Sequence, residues 1–269
     1  MKNKFAICFN DEISGYIDVV SKLESFLYLN SLVYSKFNVD NLSCDCDFVF
    51  VIGGDGTILK AARYYSSLDI PIFGINIGHL GFLSQASDIN LESAFYKIIN
   101  NDYKVENRVM LMCGDYTALN DFVIKGSEAS RASKFSLKIN NKFVCDYFAD
   151  GLIISTPTGS TAYGMASGGP ILSPETNAIE IVPICPHTFS ARPIVVPSDS
   201  EIKIFGINNQ TYCVSADGQI VFESSDNLTI KKSDYCAKLV LLDDNDFFSV
   251  LRNKLNWGFS PISEVGKGK

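Results

Sequence analysis

Apolar and polar positions are arranged in two distinct ways along the first hundred residues. Unbroken apolar runs, typical of buried strands, occupy Phe5–Phe9, Phe48–Ile52 and Pro71–Ile75. Apolar residues recur at helical spacing in three further segments: Ile13, Ile17, Val20, Leu23 and Leu27 behind a candidate N-cap at Asp11; Ile58, Leu59, Ala62 and Tyr65; and Leu91, Ala94, Phe95, Ile98 and Ile99 behind Asn90. Strands that alternate with helices form parallel sheets with right-handed crossovers. We therefore predict an α/β domain with a parallel sheet over residues 1–104.

Beyond about Tyr103 the pattern changes to short strands that follow one another closely. Turn signals such as Asn140-Asn141 and Ala216-Asp217-Gly218 separate several of them. The strand-like segments are Val105–Met112, Phe135–Ile139, Phe143–Phe148, Leu152–Ser155, Glu201–Phe205, Thr211–Ser215 and Asn227–Lys231. This pattern predicts an all-β, sandwich-like second domain over residues 105–239. A final helical stretch, Phe247–Leu255, follows Asp244-Asn245-Asp246, and we expect the 240–269 tail to pack back on the first domain.

Composition narrows the class of protein. Of 269 residues, 46% are hydrophobic and 20% are charged, so the chain is able to bury a sizeable core and is not disordered. A net charge of -7 disfavours general binding to nucleic acid or to anionic membranes. No apolar run reaches the roughly 18 residues that cross a bilayer, and none forms a signal-peptide core. The eight cysteines are dispersed without zinc-site spacing, so we expect free thiols, a reducing compartment and a cytoplasmic protein.

The sharpest local signal is the turn Gly53-Gly54-Asp55-Gly56-Thr57, which lies between a buried strand and a helix. Glycines let the main chain approach a ligand, and the N–H groups at the start of a helix favour a phosphate. A carboxylate beside a phosphate is repulsive unless it binds a metal ion or accepts a proton, so Asp55 is a candidate for either role. The structural alternative is an Asp that only caps the helix. The Walker A and dinucleotide-binding glycine patterns are both absent.

Four further segments carry polar groups that suit a small polar ligand. Asn76–Leu83 is a loop with two glycines, and we assign no role to the histidine within it. Asn120-Asp121 places an amide beside a carboxylate, which suits an adenine edge and ribose hydroxyls. Asp150–Tyr163 combines an apolar strand with a hydroxyl-rich turn and an aromatic ring, which suits a nucleoside. Asp217-Gly218-Gln219 is most simply a hairpin turn, although Gln219 has the length to reach a ligand.

Taken in chain order, these motifs resemble the NAD kinase family, and the resemblance covers most of the chain. The motifs are Gly53–Thr57 with Leu59, Ala61 and Arg63 behind it, Asn76–Leu83, Asn120-Asp121, Asp150–Tyr163, Gly168-Gly169-Pro170, His187–Pro193 and Asp217-Gly218-Gln219. The first loop is shared with diacylglycerol and sphingosine kinases and loosely with phosphofructokinases, whereas Thr156–Tyr163 and Asn76–Leu83 are more particular. The resemblance implies an α/β domain followed by a β domain, a site in the cleft between them, and homodimers or homotetramers.

The implied reaction transfers the γ-phosphoryl group of ATP, or of polyphosphate in some relatives, to the 2′-hydroxyl of the adenosine ribose of NAD, which gives NADP. Carried over by position, Asp55 is the catalytic base and also contacts NAD, while Gly53, Gly54 and Thr57 complete the phosphate loop. The implied NAD-binding residues are Gly56, Asn120, Asp121, Arg131, Phe148, Asp150, Thr158, Thr161, Ala162, Tyr163, Gly164, Met165, Ala166 and Gln219. The chemistry requires Mg²⁺ or another divalent metal, whose ligands the motifs do not identify.

Two positions depart from the pattern of many relatives. Asp121 stands where many have Glu, and the side chain shorter by one methylene loosens the expected ribose contact. Phe148 stands where many have a basic residue, and Arg131, at a position that is often basic in the family, is our candidate to compensate. Two alternatives stay open. A lipid or sugar kinase that shares the loop predicts an apolar acceptor channel or a sugar-binding cluster, and a non-catalytic dinucleotide sensor predicts binding of NAD or NADP without turnover.

Overall fold

The apolar runs of the first hundred residues form a parallel sheet with helices on both faces. The computed structural model of the chain describes residues 4–78, 81–127, 132–206, 211–225, 227–242 and 246–256. Its first strands are β1 (Lys4–Phe9), β2 (Val33–Asn38), β3 (Phe48–Ile52), β4 (Ile72–Asn76) and β5 (Ala86–Ser87), and its first helices are α1 (Tyr16–Leu29), α2 (Asp55–Tyr65) and α3 (Leu91–Ile99). The strands lie in the order β2-β1-β3-β4, all parallel, with β5 beside β4.

Alternate residues of the central strands face different helices. On β1, Phe5 and Ile7 pack in one apolar cluster with α1 and α3, whereas Ala6 and Cys8 pack in a second cluster with α2. The strand is therefore buried on both faces, which explains why its sequence is a continuous apolar run rather than an alternating one. The predicted α/β domain with a parallel sheet is confirmed.

Strands dominate the chain from Lys104 onward. They are β6 (Lys104–Cys113), β7 (Tyr116–Ala118), β8 (Asp121–Gly126), β9 (Ser133–Ile139), β10 (Lys142–Ala149), β11 (Gly151–Ser155), β12 (Ala178–Ile184), β13 (Ile194–Pro197), β14 (Ile202–Gly206), β15 (Tyr212–Ala216), β16 (Ile220–Ser224) and β17 (Leu228–Leu241). Two helices accompany them, the short α4 (Tyr163–Ala166) and the final α5 (Phe247–Leu255). Six of the strands form an antiparallel sheet in the order β13-β12-β11-β8-β15-β16, which we call the second sheet.

The second sheet packs face to face on strands that continue the first sheet. Phe135 and Ile204 from the first sheet share one buried cluster with Phe122 and Ile154 from the second, as the sandwich-like prediction requires. The long strand β17 pairs antiparallel with β6 and β14 and parallel with β4. One sheet of eleven strands therefore runs through both halves of the molecule.

Two details of the helix prediction differ from the structure. Asp11 is not the cap of the first helix, because α1 begins at Tyr16 and Gly15, with φ 86°, occupies the N-cap position. The side chain of Asn10 accepts a hydrogen bond from the main-chain N–H of Glu12 at 3.0 Å, and this turn precedes the helix. As a result the buried face of α1 is Val19, Val20, Leu23 and Leu27, and Ile17 is exposed.

The end of the described chain lies against the first domain. The main-chain N–H of Leu242 donates to the Gln85 side chain at 3.2 Å, and Phe247 and Val250 of α5 line a small cavity with Phe82 and Gln85. Asp246 caps α5 by accepting from the N–H of Ser249, whereas Asp244 and Asn245 lie outside the described residues. Within the described ranges no helix is both long enough and apolar enough to span a membrane.

Candidate functional site

The glycine-rich turn is fixed at the carboxyl end of β3. The N–H of Gly53 donates to the carbonyl of Ile75 at 2.9 Å, which joins the turn to the end of the neighbouring strand β4. Gly54 is the N-cap of α2, and its carbonyl accepts from Thr57 and Ile58. The first turn of α2 therefore begins at Asp55, where free N–H groups and the positive end of the helix dipole suit a phosphate.

The carboxylate of Asp55 contacts the loop that follows β4. One of its oxygens accepts from the N–H of Phe82 at 2.9 Å, and the other accepts from the N–H of Leu83 at 3.2 Å. A Cβ atom at Gly81 would overlap this carboxylate, so a side chain there would displace Asp55 from its position. The Asn76–Leu83 segment, whose residues 79 and 80 lie outside the described part, thus orients Asp55. Each oxygen keeps lone pairs for another donor.

A second carboxylate, that of Asp217, connects the two domains. It accepts from the main-chain N–H groups of Leu119 at 3.2 Å, Asn120 at 2.7 Å and Asp121 at 3.4 Å. It also pairs at 2.6 Å with the guanidinium of Arg63, which belongs to α2 of the first domain. The Asp217 side chain is 0% exposed and that of Arg63 is 9% exposed, so this is a buried ion pair.

The hairpin prediction for Asp217-Gly218-Gln219 covers only part of what this turn does. Asp217 and Gly218 both have positive φ, 51° and 65°, and are the central residues of a tight turn in which the N–H of Gln219 donates to the carbonyl of Ala216 at 3.0 Å. Gln219 crosses the cleft, because its amide donates to the carbonyl of Gly56 at 2.8 Å and its oxygen accepts from Arg63. The turn therefore joins the glycine-rich loop to the segment that contains Asn120 and Asp121.

A cavity of about 420 Å³ lies on the outer face of the second sheet, next to this turn. Ten residues from three places in the chain line it: Asn120, Asp121, Val123, Lys125, Ala162, Tyr163, Cys213, Ser215, Asp217 and Gly218. We call it the nucleoside pocket because its volume and its mixture of apolar, aromatic and polar groups suit a ligand of that size. Four of the residues implied by the resemblance, Asn120, Asp121, Ala162 and Tyr163, meet here.

Two charged side chains set the electrostatics of the nucleoside pocket. Asp121 is buried, and burial together with the nearby charge of Asp217 raises its pKa to about 7. The ammonium of Lys125 lies 5.6 Å from the centre of the Tyr163 ring, within cation–π distance. The pocket thus combines a carboxyl group that accepts hydrogen bonds when ionised with a cation and an aromatic face.

A second cavity, of about 1300 Å³, opens on the other side of the 217–219 turn. The glycine-rich loop contributes Gly54, Gly56 and Thr57 to its lining, α2 contributes Lys60 and Arg63, and Gln219 lies at its border with the turn. Lys60 is paired with Asp40 across this cavity. We call it the donor cavity, where 'donor' means the phosphoryl donor of the reaction that the resemblance implies. Gln219 lies in this cavity, whereas Asp217 and Gly218 line the nucleoside pocket, so the turn separates the two spaces.

The hydroxyl groups of the 155–161 segment donate hydrogen bonds to main-chain carbonyls of the protein. Thr156 donates to the carbonyl of Leu119 at 2.6 Å, Ser160 donates to the carbonyl of Pro157 at 2.7 Å, and Thr161 donates to the carbonyl of Thr158 at 3.3 Å. In this structure these hydroxyls donate within the protein, and their interpretation as donors to a ligand stays a prediction. Gly159 packs against the main chain of Asn120, and a Cβ atom there would overlap the Asn120 carbonyl.

Several implied NAD-binding residues lie away from the nucleoside pocket. The Thr158 hydroxyl faces Arg108 of the first sheet, and Gly164, Met165 and Ala166 form α4 beside the pocket without lining it.

Asp150 precedes β11 and pairs with His187 at 3.6 Å, and the Phe148 ring lies 4.9 Å from the His187 ring. Gly151 is four residues from Ser155, the partner of Asp121, so Asp150 is more than about 13 Å along the strand from Asp121, whereas Gly151 itself pairs with Lys125 at the other end of the pocket. Arg131 lies outside the described residues.

The fit of a divalent metal rests on few protein groups. Within the described ranges no three Asp, Glu, His or Cys side chains come together as metal ligands. Mg²⁺ in phosphoryl-transfer sites is bound by one or two carboxylates, by substrate phosphates and by water. Asp55, partly exposed beside the phosphate loop and with lone pairs left on both oxygens, fits the part of a single carboxylate in such a set.

Sequence reasoning missed two features of the site. The Arg63–Asp217 pair joins residues 154 positions apart, and no local pattern signals a buried ion pair at that separation. Glu180 on β12 is fully buried near Asp121, and its position inside the apolar run Ala178–Ile184 was the one available signal.

Comparison with known proteins identifies the family. Two family models match, the ATP-NAD kinase N-terminal domain over residues 24–103 and the ATP-NAD kinase C-terminal domain over residues 119–242. An NAD kinase of Clostridium botulinum (strain Loch Maree / Type A3) is 41% identical over 235 residues, which cover 83% of this chain and 84% of the relative. An NAD kinase of Pseudomonas savastanoi pv. phaseolicola is 42% identical over 236 residues, which cover 83% and 78%.

Solved structures share the whole architecture. The crystal structure of an NAD kinase from Archaeoglobus fulgidus in complex with ATP is 28% identical, with a TM-score of 0.82 over 94% of this chain and 98% of that chain. A yeast NADH kinase complexed with NADH is 22% identical, with a TM-score of 0.83 over 96% and 89%, and supports the fold alone. From the two domain matches, the identities above 40% and the shared fold, the chain belongs to the NAD kinase family.

Proposed function

We propose that the chain transfers the γ-phosphoryl group of ATP to the 2′-hydroxyl of the adenosine ribose of NAD and so forms NADP. The observation that carries this proposal is the buried Arg63–Asp217 pair, because it joins the helix of the phosphate loop to the Asn120–Asp121 main chain. A phosphate-binding loop and a nucleoside-sized pocket are thereby held side by side, as transfer between two bound nucleotides requires.

Asp55 is the proposed catalytic base. Its two hydrogen bonds from the 81–83 loop orient the carboxylate and leave lone pairs free to accept the proton of the attacking ribose hydroxyl. An aspartate is a weak base for an alcohol, with an ordinary pKa of about 3.9, so the transition state is expected to be loose, with late proton transfer. Orientation of the two substrates then supplies much of the rate enhancement.

The nucleoside pocket is the proposed site for the adenosine half of NAD. Asp121, when ionised, accepts hydrogen bonds from ribose hydroxyls, Asn120 reads the base or ribose, and Tyr163 and Ala162 give a flat wall. The charge of Lys125 suits the diphosphate of NAD. Thr158, Thr161 and the 164–166 helix support this wall from behind and are proposed to act through the loop rather than by direct contact.

The donor cavity is the proposed place for ATP. Gly54, Gly56 and Thr57 line this cavity and, with Gly53 before them in the phosphate loop, are proposed to present main chain to the phosphates of ATP, while Gln219 closes the border to the nucleoside pocket. Mg²⁺ or another divalent ion would supply positive charge beside the substrate phosphates, and Asp55 is the residue of the phosphate loop that could be its ligand, as the alternative to its role as the base. Polyphosphate in place of ATP stays an alternative donor.

We further propose that Asp150 and Phe148 contact NAD only in a homodimer or homotetramer, where a second copy brings them to the pocket. Asp150 precedes the end of β11 opposite to Ser155, the partner of Asp121, and Phe148 lies further back on β10, which supports this proposal. We also propose that the chain has two functional domains. Residues 1–104 together with 240–269 bind the phosphoryl donor, and residues 105–239 bind NAD. The cytoplasmic location stays a prediction, consistent with eight cysteines that form no disulfide.

The experiment is an assay of NADP formation from NAD, ATP and Mg²⁺, run beside parallel assays with a diacylglycerol and with a hexose as acceptor. We expect phosphorylation of NAD alone. Phosphorylation of a lipid or a sugar in preference to NAD contradicts the proposal, and tight NAD binding without any turnover identifies a dinucleotide sensor instead.

A further inference from the structure

A buried carboxyl group with no assigned role lies next to the nucleoside pocket. Glu180, in the middle of β12, is 0% exposed. It pairs in register with Ser155 of β11, and Ser155 pairs with Asp121 of β8, so the three side chains form a row across the outer face of the second sheet. Asp121 is at the pocket end of that row.

Glu180 also touches the turn that forms the wall of the pocket. Cβ atoms placed at Gly164 and Gly169 would both meet the Glu180 carboxyl oxygens, so glycine at these positions lets the main chain lie directly over the acid. Gly164 follows Tyr163, whose ring lines the pocket. Glu180 therefore contacts the wall of the nucleoside pocket at Gly164 and lies in one row with Asp121, which lines the same pocket.

Neither oxygen of Glu180 has a hydrogen-bond partner among the described residues. Ser155 is the nearest hydroxyl in the row, but it donates to the carbonyls of Asn120 and Thr156 instead. An ionised carboxylate without a partner is costly to bury, whereas a neutral acid is far less so. Burial, which is the larger cause, and the nearby charge of Asp121 raise the pKa of Glu180 to about 8.

Few other charges face this pair. Asp217 lies beside Asp121, but its charge is paired with Arg63. The ammonium of Lys125 lies over the Tyr163 ring, and the 164–169 turn brings main chain rather than charged groups to Glu180. The protonation of Glu180 is thus governed mainly by its burial and by Asp121.

We propose that Glu180 is a positioning residue of the nucleoside pocket. As a neutral acid, Glu180 leaves Asp121 as the single charged member of the pair and supports the Tyr163–Gly164 wall. This inference rests on the proposed function. When Glu180 ionises, two adjacent buried carboxylates repel each other and the NAD diphosphate, and the wall loses its neutral support. When Asp121 is protonated, the acceptor for the ribose hydroxyls is lost.

Binding of NAD is therefore expected to be tightest between the pKa of Asp121 and that of Glu180, about 7 and about 8. On the alkaline side the affinity of the wild-type chain falls about tenfold for each pH unit above the pKa of Glu180, because NAD binds only the form in which that acid is neutral. Binding takes up a proton on this side and releases one on the acid side.

The test measures NAD binding without ATP by calorimetry from about pH 6 to pH 9, for wild type, Glu180→Gln and Glu92→Gln. Gln has the size of Glu but does not ionise, and Glu92 is an exposed residue of α3 that does not line the nucleoside pocket, which makes it a matched control. We expect the affinity of Glu180→Gln for NAD still to fall at low pH but no longer to fall at high pH. Near pH 9 the variant is therefore expected to bind NAD about tenfold more tightly than wild type. The control is expected to follow wild type.

Proton uptake by the wild-type chain gives a second readout that needs no variant. Calorimetry in buffers of different ionisation enthalpy is expected to show net uptake near pH 8.5 and net release near pH 6.5. An alkaline limb that persists in Glu180→Gln, or zero uptake by wild type at the higher pH, overturns the role of Glu180 while NAD binding itself stands. No binding of NAD by wild type at any pH overturns the proposed function, and this inference with it.

Discussion

Two turns of the molecule each place an aspartate where it accepts hydrogen bonds from a distant main chain, yet their surroundings differ. Asp55, in the Gly53–Thr57 turn, accepts from Phe82 and Leu83 and is partly exposed, with no ion pair among the described residues. Asp217, in the turn between β15 and β16, accepts from three N–H groups, pairs with Arg63 and is fully buried.

The difference assigns distinct work to the two carboxylates. All the acceptor capacity of Asp217 is used inside the protein, so it holds the domains together and positions Asn120 and Asp121. Asp55 keeps lone pairs and solvent access, which a base or a metal ligand requires. Hydrogen bonding to main chain is therefore not enough to distinguish a structural carboxylate from a reactive one, whereas burial and charge compensation do distinguish them.

The largest expected effect on activity is that of Asp55→Asn. Loss of the base is expected to lower kcat by about 10²- to 10⁴-fold, with little change in stability, because the residue is partly exposed and unpaired. Asp115→Asn, which removes the same charge from an exposed turn, is the control and is expected to act like wild type. An Asp55→Asn enzyme within about tenfold of wild type contradicts the assignment of the base.

The largest expected effect on stability comes from the buried pair. Removing one partner, in Arg63→Met or Asp217→Asn, leaves an uncompensated buried charge and is expected to lower the free energy of unfolding by about 3–5 kcal/mol. The double variant is expected to lose less than the sum of the two single losses, and urea unfolding of all four proteins measures this coupling. Additive losses indicate that the two side chains do not interact in solution.

Gly159→Ala is expected to have an intermediate effect. The added Cβ overlaps the carbonyl of Asn120, so the 156–163 loop must move relative to the residues that Asp217 positions. A loss of about 1–3 kcal/mol in stability and a raised KM for NAD are expected, measured by urea unfolding and steady-state kinetics. Gly114→Ala is a comparison for the loss of a glycine in a turn with open space around it, where only backbone strain acts, and it is expected to leave KM for NAD unchanged.

Glu180 is expected to make the free energy of unfolding depend on pH. Because its folded-state pKa is raised from 4.5 to about 8, the native chain binds this proton more tightly than the unfolded chain. The contribution of Glu180 to stability is therefore lost as pH rises through that window. The advantage of Glu180→Gln over wild type in free energy of unfolding is expected to grow from about pH 5 to about pH 9. A constant difference across this range means that Glu180 is not protonated in the folded protein.

The smallest effect is expected at Arg131. If it compensates for Phe148, Arg131→Ala raises the Michaelis constants for NAD and ATP by a few-fold, as loss of one exposed charge–phosphate contact does. Unchanged Michaelis constants refute the compensation, and Phe148→Lys in the same background then tests whether the position itself needs a cation.

Two strands that are buried on both faces and carry no polar residue were readily predicted from the sequence. Phe5–Phe9 and Phe48–Ile52 are continuous apolar runs, and each became a central strand of the parallel sheet. Strand β2 was missed because it lies at an edge and is only half-buried. Strand β12 was missed because Glu180 and Pro183 interrupt its apolar run. The predicted segment Asn227–Lys231 is only the start of β17, because the bulge between Lys232 and Cys236 carries polar residues through the middle of that strand.

Strands β7, β13 and β16 were missed as well, because each is short and only partly buried. The candidate site was predictable where motifs carry it. The glycine-rich loop follows from its local sequence, and Asn120, Asp121, Ala162 and Tyr163 meet as the family resemblance implies. What joins them was not predictable, since Arg63 and Asp217 acquire their roles only when the fold brings α2 to the second sheet. The main-chain hydrogen bonds of the hydroxyls in the 156–161 loop were not predictable either, because polar side chains satisfy main-chain groups as readily as ligands.

The most direct test of the division between the two aspartates measures NADP formation and unfolding on the same preparations of Asp55→Asn and Asp217→Asn. We expect Asp55→Asn to unfold like wild type, to bind NAD and scarcely to turn over. We expect Asp217→Asn to be less stable and to have a higher KM for NAD, while its folded fraction keeps most of the wild-type kcat. A folded, active Asp55→Asn beside a stable, inactive Asp217→Asn would contradict this division, since the reactive carboxylate would then be the buried one.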